Sequence, residues 1–231
     1  MMTPSHWHSA VSEFLKDNPE FAEYGRPATP LVPRFSDKLK LFAYFITYQA
    51  ITARSADSIW DKLVNLINHL LLSLNANTYD IWPPHVLMGI PDDELYGRNG
   101  VGLSRGKIRA IKGMARYLMR NPTVHDQKML SSSEIIRTIS SQIKGVGPFT
   151  VASFLIESGR LDIANHYDRV MRKGMMLHYK LREVPTIKQA ARLTATWGRY
   201  KTIGTKYMFY VANRPPRMPE FMCHLYEFAS R

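Results

Sequence analysis

Apolar residues recur at intervals of three and four along most of this chain, and this spacing constrains the fold more than any other feature. In the segment after Ser104, one helical face carries Ile108, Ile111, Ala115 and Leu118. Ser104 itself is placed to cap that helix. No segment alternates apolar and polar residues in the way that a half-buried strand requires. The sequence therefore predicts an all-α fold of about ten helices, without a separable second domain.

Three further segments show the same pattern, each with its own boundaries. Helices are predicted over residues 8–24, 35–50 and 52–74, and the second of them is apolar almost all round, as is typical of a buried helix. Ser131 and Glu134 have the spacing of a capping box ahead of another helix.

The charge balance narrows the classes of partner. Lysine and arginine total 31 against 19 aspartates and glutamates, a net charge of +12. This excess favours a polyanion, because neutralised phosphates release condensed counterions, but it does not separate DNA from RNA or from an anionic membrane. No apolar run is long enough for a membrane span and residues 1–10 lack a signal-peptide core, which predicts an intracellular protein in cytoplasm, nucleoid or nucleus. The single cysteine, Cys223, excludes an internal disulfide and a four-cysteine cluster.

The sharpest local signal is the segment IKGVGPFTVASFL, residues 143–155. Gly145 and Gly147 allow a tight turn, and Pro148 suits the first turn of the following helix. Such a hairpin presents backbone amides and a helix N-terminus that can bind a phosphate, and Lys144 adds a positive charge. The contact expected is with the nucleic-acid backbone rather than with bases. The alternative is a plain glycine link between two packed helices.

Asp168 directly precedes the helical stretch RVMRKGMMLHY and is surrounded by cationic side chains in the sequence. As an N-cap it would have a purely structural role. As an ionised carboxylate it could stabilise the positive charge that develops on deoxyribose when a glycosidic bond breaks, or orient a water. Asp162 is the nearby competitor for that role.

Five segments in series carry a resemblance to a known family. They are ITYQAITARSADSIW (46–60), IPDDELYGRNGVGLSRGKIRAIKGMARYL (90–118), the hairpin segment, GRLDIANHYDRVMRKGM (159–175) and WGRYKTIGTKYMFYV (197–211). In order and separation they resemble the 3-methyladenine DNA glycosylase II branch of the helix-hairpin-helix glycosylase superfamily.

This resemblance implies a two-lobed helix-hairpin-helix glycosylase fold with the active site in the cleft between the lobes. Residues 42–159 would form the inner helical bundle that ends in the hairpin, and residues 1–41 and 160–231 the second lobe, within one glycosylase domain. The implied reaction is excision of a flipped, damaged purine, an alkylated one in this branch, which leaves an abasic site during base-excision repair. The implied partner is double-stranded DNA with a damaged base, and the protein is expected to act as a monomer away from membranes.

Residue by residue, the resemblance places the catalytic carboxylate at Asp168 and a non-catalytic aspartate at Asp162. Where bifunctional relatives carry a lysine that forms a Schiff base, this chain has Phe149, which implies a monofunctional enzyme that uses water. Aromatic faces suit a positively charged purine, and plain core packing is the alternative for them. The substrate pocket is assigned to Phe149, Ser153, Trp197 and Tyr200.

The implied DNA-binding residues lie in three segments. They are Lys144, Gly145, Val146, Gly147 and Thr150 of the hairpin, Gln49, Ala50 and Ile51, and Arg105 and Lys107. The residue that wedges into the duplex falls near Ala50, and because Ala50 is small, Ile51 or another loop is the alternative. The chemistry requires no metal and no organic cofactor, although a monovalent cation can bind to the hairpin carbonyls.

Three other functions stay open. Asn165 and Tyr167 replace a proline and an aspartate beside the catalytic position, and Ser153 stands where some relatives have a pocket tyrosine. A damage-binding protein without turnover is therefore the first alternative. The second is a glycosylase for oxidised bases, although Phe149 argues against its lyase form. The third is an RNA-binding helical module, which would prefer single strands.

Overall fold

The secondary structure is almost entirely helical. The computed structural model describes residues 4–25, 36–74, 81–121 and 130–213, so Cys223 lies outside it. These ranges contain eleven α-helices and two 3-10 helices, and within them the extended pairing is limited to one isolated bridge between Tyr96 and Leu103. The all-α prediction is confirmed. Among the described helices, none combines the length and the apolar character needed to cross a membrane.

The elements follow one another without a strand between them. In chain order the α-helices are α1 (Pro4–Asp17), α2 (Lys38–Thr47), α3 (Ala53–Ser73), α4 (Pro84–Gly89), α5 (Asp92–Leu95), α6 (Arg105–Arg120), α7 (Ser132–Gln142), α8 (Pro148–Glu157), α9 (Arg169–His178), α10 (Ile187–Leu193) and α11 (Lys201–Asn213). The first 3-10 helix spans Pro19–Tyr24 and the second spans Thr194–Tyr200.

Local signals set where several helices begin and end. The predicted cap at Ser104 is confirmed, since its hydroxyl accepts the Lys107 N–H at 3.3 Å, and the predicted capping box opens α7. The single helix predicted over residues 8–24 is wrong. α1 ends at Asp17 and a 3-10 turn follows, because Pro19 has no N–H with which to continue the α-helical hydrogen bonds.

The helices pack in two groups, as expected for two lobes. In the first group α2 packs on α3, α6 and α8, α4 packs on α3 and α6, α5 on α6, and α7 on α8. In the second group α11 packs on α1, on α9 and on both 3-10 helices, while α10 packs on the second 3-10 helix. Buried apolar side chains of both groups form one continuous core. The predicted lobe boundaries at residues 42 and 159 stay a prediction.

Two glycines allow close contacts inside the second group. A Cβ atom on Gly174 of α9 would overlap the backbone carbonyl of Met208 in α11, and one on Gly204 of α11 would overlap the Trp197 ring. The backbones of α9 and α11 therefore touch directly. Since Asp168 immediately precedes α9, this contact also determines where that aspartate lies.

Candidate active site

A cavity of about 260 Å³ lies where the two helix groups meet. Its volume is below the roughly 300–1,000 Å³ of sites for drug-sized ligands, and suits a single base. The first group contributes side chains from α2, α8 and the residues that follow α2, and the second contributes the loop before α9 and part of α11. The lining consists of Phe45, Tyr48, Gln49, Phe149, Ser153, Ile156, Glu157, Asn165, Asp168 and Phe209.

Asp168 both caps α9 and lines the cavity. Its Oδ1 accepts the backbone N–H groups of Val170 at 2.6 Å and Met171 at 3.1 Å. Its Oδ2 accepts no hydrogen bond from the described residues, and the side chain is half-buried. The structural and chemical roles are thus compatible, because each uses a different oxygen.

Two of the cationic or titratable side chains near Asp168 in the sequence are bonded to other residues. The Arg172 guanidinium donates to the Pro185 carbonyl at 2.9 Å, and His166 Nε2 bonds to the Thr194 hydroxyl at 2.6 Å. Burial, together with the positive charge of Lys201, lowers the pKa of His166 to about 4. No ion pair joins Asp168 to a lysine or arginine in the described ranges. The expectation of a cationic cluster at Asp168 therefore needs correction.

Asp162 lies outside the cavity lining and is engaged elsewhere. It accepts the Ser132 hydroxyl at 2.7 Å and the Arg160 Nε–H at 3.1 Å. Burial raises the pKa of Asp162, but the hydrogen bonds from Arg160 and Ser132 outweigh it and leave this pKa below its usual value. Its oxygens hold the start of α7 to the loop after α8, which is a structural role.

Four aromatic side chains line the cavity, and only one was predicted. Phe149 at the start of α8 has 40% of its surface exposed. The other three are Phe45 and Tyr48 of the α2 end and Phe209 of α11. The segment around α2 is apolar almost all round, so its sequence pattern does not reveal which side faces the cavity. The interval of three between Phe45 and Tyr48, next to Gln49, is the signal that could have identified them.

Trp197 and Tyr200 do not line the cavity, contrary to the pocket assignment. Trp197 is fully buried, its Nε1 donates to the Tyr179 hydroxyl at 3.0 Å, and its ring meets Phe21 edge-on at 5.9 Å. The Tyr200 hydroxyl donates to Glu13. Both rings are buried among residues of the second helix group.

The hairpin between α7 and α8 exposes free backbone donors. Gly145 adopts φ +89°, a left-handed conformation that glycine tolerates, and the buried Val146 anchors the turn through its N–H bond to Ile143 at 3.1 Å. In the part of the chain that the structure describes, the N–H groups of Gly145, Gly147 and Phe149 donate to no backbone acceptor. Together with the α8 N-terminus and the exposed Lys144, they can bind a phosphate.

The hairpin carbonyls differ in their availability for the predicted monovalent cation. The carbonyls of Ile143 and Gly147 accept N–H groups within the hairpin. Those of Lys144, Gly145 and Val146 accept none from the described backbone. Cation binding there stays a prediction.

The loop between α2 and α3 contacts the hairpin helix. Gln49 Nε2 donates to the buried Thr150 hydroxyl, which joins the second residue after α2 to the first turn of α8. The next residue, Ala50, is exposed and adopts φ +54°, a strained conformation for a non-glycine residue. Ile51 is 38% exposed. Both are accessible to a duplex, so neither wedge assignment is favoured.

The two cations predicted on α6 are placed differently. Lys107 Nζ donates to the Thr47 carbonyl at the end of α2 at 2.7 Å, and burial lowers its pKa. The Lys107 ammonium therefore has a structural role at the start of the α2–α3 loop, in addition to the predicted contact with DNA. Arg105 is exposed, with its guanidinium 5.0 Å from the centre of the Tyr96 ring.

Comparison with known proteins gives matches in structure alone. No protein-family model and no curated protein sequence matches the chain. The 3-methyladenine DNA glycosylase of Schizosaccharomyces pombe, solved with abasic DNA, has a TM-score of 0.67 over 91% of this chain and 98% of its own, at 18% identity. The DNA-3-methyladenine glycosidase of Bacillus halodurans has a TM-score of 0.68 over 96% of both chains, at 18% identity.

A third match extends this likeness to an archaeal protein. The 3-methyladenine DNA glycosylase of Archaeoglobus fulgidus has a TM-score of 0.63 over 91% of this chain and 70% of its own, again at 18% identity. Identity at this level shows a shared fold. The chain therefore has the two-lobed helix-hairpin-helix fold of the DNA glycosylases, as its sequence resemblance predicted.

Proposed function

We propose that this protein is a monofunctional DNA glycosylase that excises a flipped, damaged base from double-stranded DNA and leaves an abasic site. The observation that carries the proposal is the Asp168 carboxylate, one oxygen of which accepts no hydrogen bond from the described residues and which lines an aromatic cavity. A cavity of this kind can receive a flipped base, and the hairpin beside it can bind the phosphates of the same duplex.

The geometry supports a reaction driven by charge stabilisation. When the glycosidic bond breaks, its electron pair leaves with the base and positive charge develops at C1′ and the ring oxygen of the deoxyribose. The free Oδ2 of Asp168 can stabilise that charge. A water then bonds to C1′, and its proton passes to the carboxylate or to solvent. The α9 N–H groups on Oδ1 hold the carboxylate in place during these steps.

Alkylated purines are the substrates that the cavity favours. Alkylation at a ring nitrogen gives the base a positive charge, and aromatic faces attract cations. Phe45, Tyr48, Phe149 and Phe209 supply such faces. Burial and the hydrogen bond to Asp57 raise the pKa of Tyr48, so that ring stays neutral. A base that is already cationic leaves as a neutral molecule and needs no general acid.

The absence of strand cleavage follows from the residue at the start of α8. Phe149 occupies the position where a lyase carries its lysine, and it has no amine with which to form an imine. The Lys206 ammonium is paired at 2.5 Å with Glu157, which lines the cavity. The DNA product is expected to stay intact until it is treated with alkali, and borohydride is expected to trap no covalent adduct.

Asp168→Asn tests the proposal. Asparagine caps helices about as well as aspartate, so a purely structural Asp168 predicts little change. The catalytic assignment predicts a loss of at least about 100-fold in single-turnover release of 3-methyladenine or 7-methylguanine, with unchanged melting and DNA affinity. Asp162→Asn is the matched control. It should melt at a lower temperature but, where folded, retain activity.

The outcomes separate the remaining functions. A wild-type protein that binds damaged duplexes without releasing any base would be the damage binder. Release of oxidised bases in preference to alkylated ones would reassign the substrate, and tighter binding to single-stranded RNA than to duplex DNA would favour the RNA-binding module. A folded Asp168→Asn variant with full activity contradicts the role of Asp168.

A further inference from the structure

The side chain of Asn165 bridges the two helix groups at the cavity wall. It is 99% buried, with a relative exposure of 1%. Its Nδ2 donates to the Phe149 carbonyl at 3.2 Å and to the Ser153 hydroxyl at 2.9 Å, both in α8 of the first group. Asn165 itself lies in the loop of the second group that leads to α9. One amide therefore joins the hairpin helix to the loop that carries Asp168.

The backbone of the same residue holds Asp168 directly. The Asp168 N–H donates to the Asn165 carbonyl at 2.9 Å, which closes a turn over residues 165–168. The two sets of contacts act in series. The side chain fixes Asn165 to α8, and the turn fixes Asp168 to Asn165. The distance between the carboxylate and the aromatic ring at the start of α8 is thereby set by a short chain of hydrogen bonds.

A contribution to stability alone does not explain why a buried amide occupies position 165. Since a carbonyl can only accept, the bond to Phe149 fixes which end of the amide is the nitrogen. The oxygen, Oδ1, is then buried and accepts no hydrogen bond from any residue that the structure describes. A buried acceptor without a donor carries a desolvation cost. At the other end of this loop Asp162 has both oxygens bonded. Of these two side chains in the loop, the one with an unbonded oxygen is therefore the one that lines the cavity.

We propose that Asn165 is a positioning residue that sets Asp168 at its working distance from a base held against Phe149. This inference rests on the proposed glycosylase function. Reactions that depend on an aligned charge are sensitive to misplacement of about 1 Å, which can lower the rate about 100-fold. Without the Asn165 side chain the loop is expected to relax away from α8, although Asp168 still caps α9.

The experiment compares Asn165→Ala, Ser153→Ala and the double variant. Single-turnover base release at saturating protein is measured beside the dissociation constant for a duplex with an abasic site and the melting temperature. Asn165→Ala should slow release about 10- to 100-fold while the dissociation constant changes less than about 2-fold. Ser153→Ala should slow release less, because the Phe149 carbonyl still holds the amide. The double variant should be no slower than Asn165→Ala, because Ser153 acts through Asn165.

Thr202→Val is the matched control for general loosening of the loop. The Thr202 hydroxyl is also buried and donates to the carbonyls of Arg160 at 2.8 Å and Ile163 at 2.9 Å, which holds the same loop to α11. This variant should lower the melting temperature and leave the release rate within about 3-fold. If it slows release as much as Asn165→Ala does, positioning by Asn165 is refuted.

Other outcomes are equally decisive. Parallel losses of rate and affinity in Asn165→Ala would mean that the side chain contacts DNA instead. If Asn165→Ala does not fold, Asn165→Leu replaces it, because leucine keeps a similar volume without the donor: unchanged release by that folded variant overturns the inference. An inactive wild-type protein overturns the proposed function itself, whereas an active wild-type protein with an equally active Asn165→Ala variant overturns only the positioning role.

Discussion

Aromatic rings and a carboxylate occur together both in the cavity between the helix groups and in the Trp197 cluster, which comprises Glu13, Tyr179, Trp197 and Tyr200. In the cavity, Phe149 has 40% of its surface exposed and Asp168 keeps one oxygen free of described donors. In the Trp197 cluster the indole is fully buried and its N–H is bonded to Tyr179. The Tyr200 hydroxyl there is bonded to Glu13.

The difference shows how residue types of similar chemistry serve different purposes. Hydrogen bonds from Tyr200 and Arg199 hold the pKa of Glu13 below its usual value, so this carboxylate is already occupied. A closed cluster stabilises the fold because its polar groups have partners and its rings have neighbours. An open site leaves a ring face and a carboxylate oxygen for a ligand. The variants Trp197→Ala, Phe149→Ala and Tyr200→Phe test this distinction between the closed cluster and the open site.

The largest effect is expected on stability, in the closed cluster. Trp197→Ala should lower the free energy of unfolding by about 3–5 kcal/mol, because it leaves a large cavity in the core. Phe149→Ala should cost about 1 kcal/mol or less, since that ring is partly in solvent. Urea titrations of both variants measure the difference. Equal losses would mean that the cavity ring is part of the core.

The next effect is expected on activity, in the open site. Phe149→Ala should slow release of 3-methyladenine by about 5- to 150-fold, the equivalent of roughly 1–3 kcal/mol of base stacking. Loss of hypoxanthine release should be smaller, because that neutral base lacks the cation–π attraction. Tyr200→Phe removes the hydroxyl bond to Glu13 and should leave both rates unchanged. A comparable loss in Tyr200→Phe would return Tyr200 to the substrate pocket.

The smallest effect is expected at the hairpin, outside both aromatic regions. Lys144→Ala should weaken binding to every duplex by a similar factor and reduce the slope of affinity against salt by about 1. Fluorescence anisotropy at several salt concentrations measures this slope. Lys188→Ala, an exposed lysine of α10, is the control and should leave the slope unchanged. An altered lesion preference with unchanged nonspecific affinity would contradict phosphate binding by the hairpin.

Much of the fold follows from short-range signals that the sequence displays openly. Ser104 and Asp168 cap helices because their side chains reach N–H groups two or three residues ahead, and Pro148 begins α8 because its missing N–H is not needed there. The cavity lining depends on which helices meet. Phe45 lies in a helix that is apolar almost all round, so periodicity cannot separate its cavity-facing side from its core side.

The error over Trp197 has a related cause. Its segment aligns with the family pattern, but an alignment carries the order of residues and not the direction of a side chain. Gly198, with φ +55°, bends the second 3-10 helix directly after Trp197, and the Gly204 backbone leaves space for the indole. Both features depend on backbone conformation and helix packing, which an alignment does not show. The Asn165 bridge escaped detection for the same reason, because its partners in α8 precede it by 12 and 16 residues.

The glycine at position 174 gives α9 the mechanics of a lever. Gly174 follows Asp168 by six residues, which is about 9 Å along a helix. With the α11 backbone as the fulcrum, a tilt of about 6° at Gly174 would swing the carboxylate through about 1 Å. A methyl group added at this fulcrum would overlap the Met208 carbonyl, so that α9 or α11 would have to shift. The position of the Asp168 carboxylate therefore depends on the absence of a Cβ atom at residue 174.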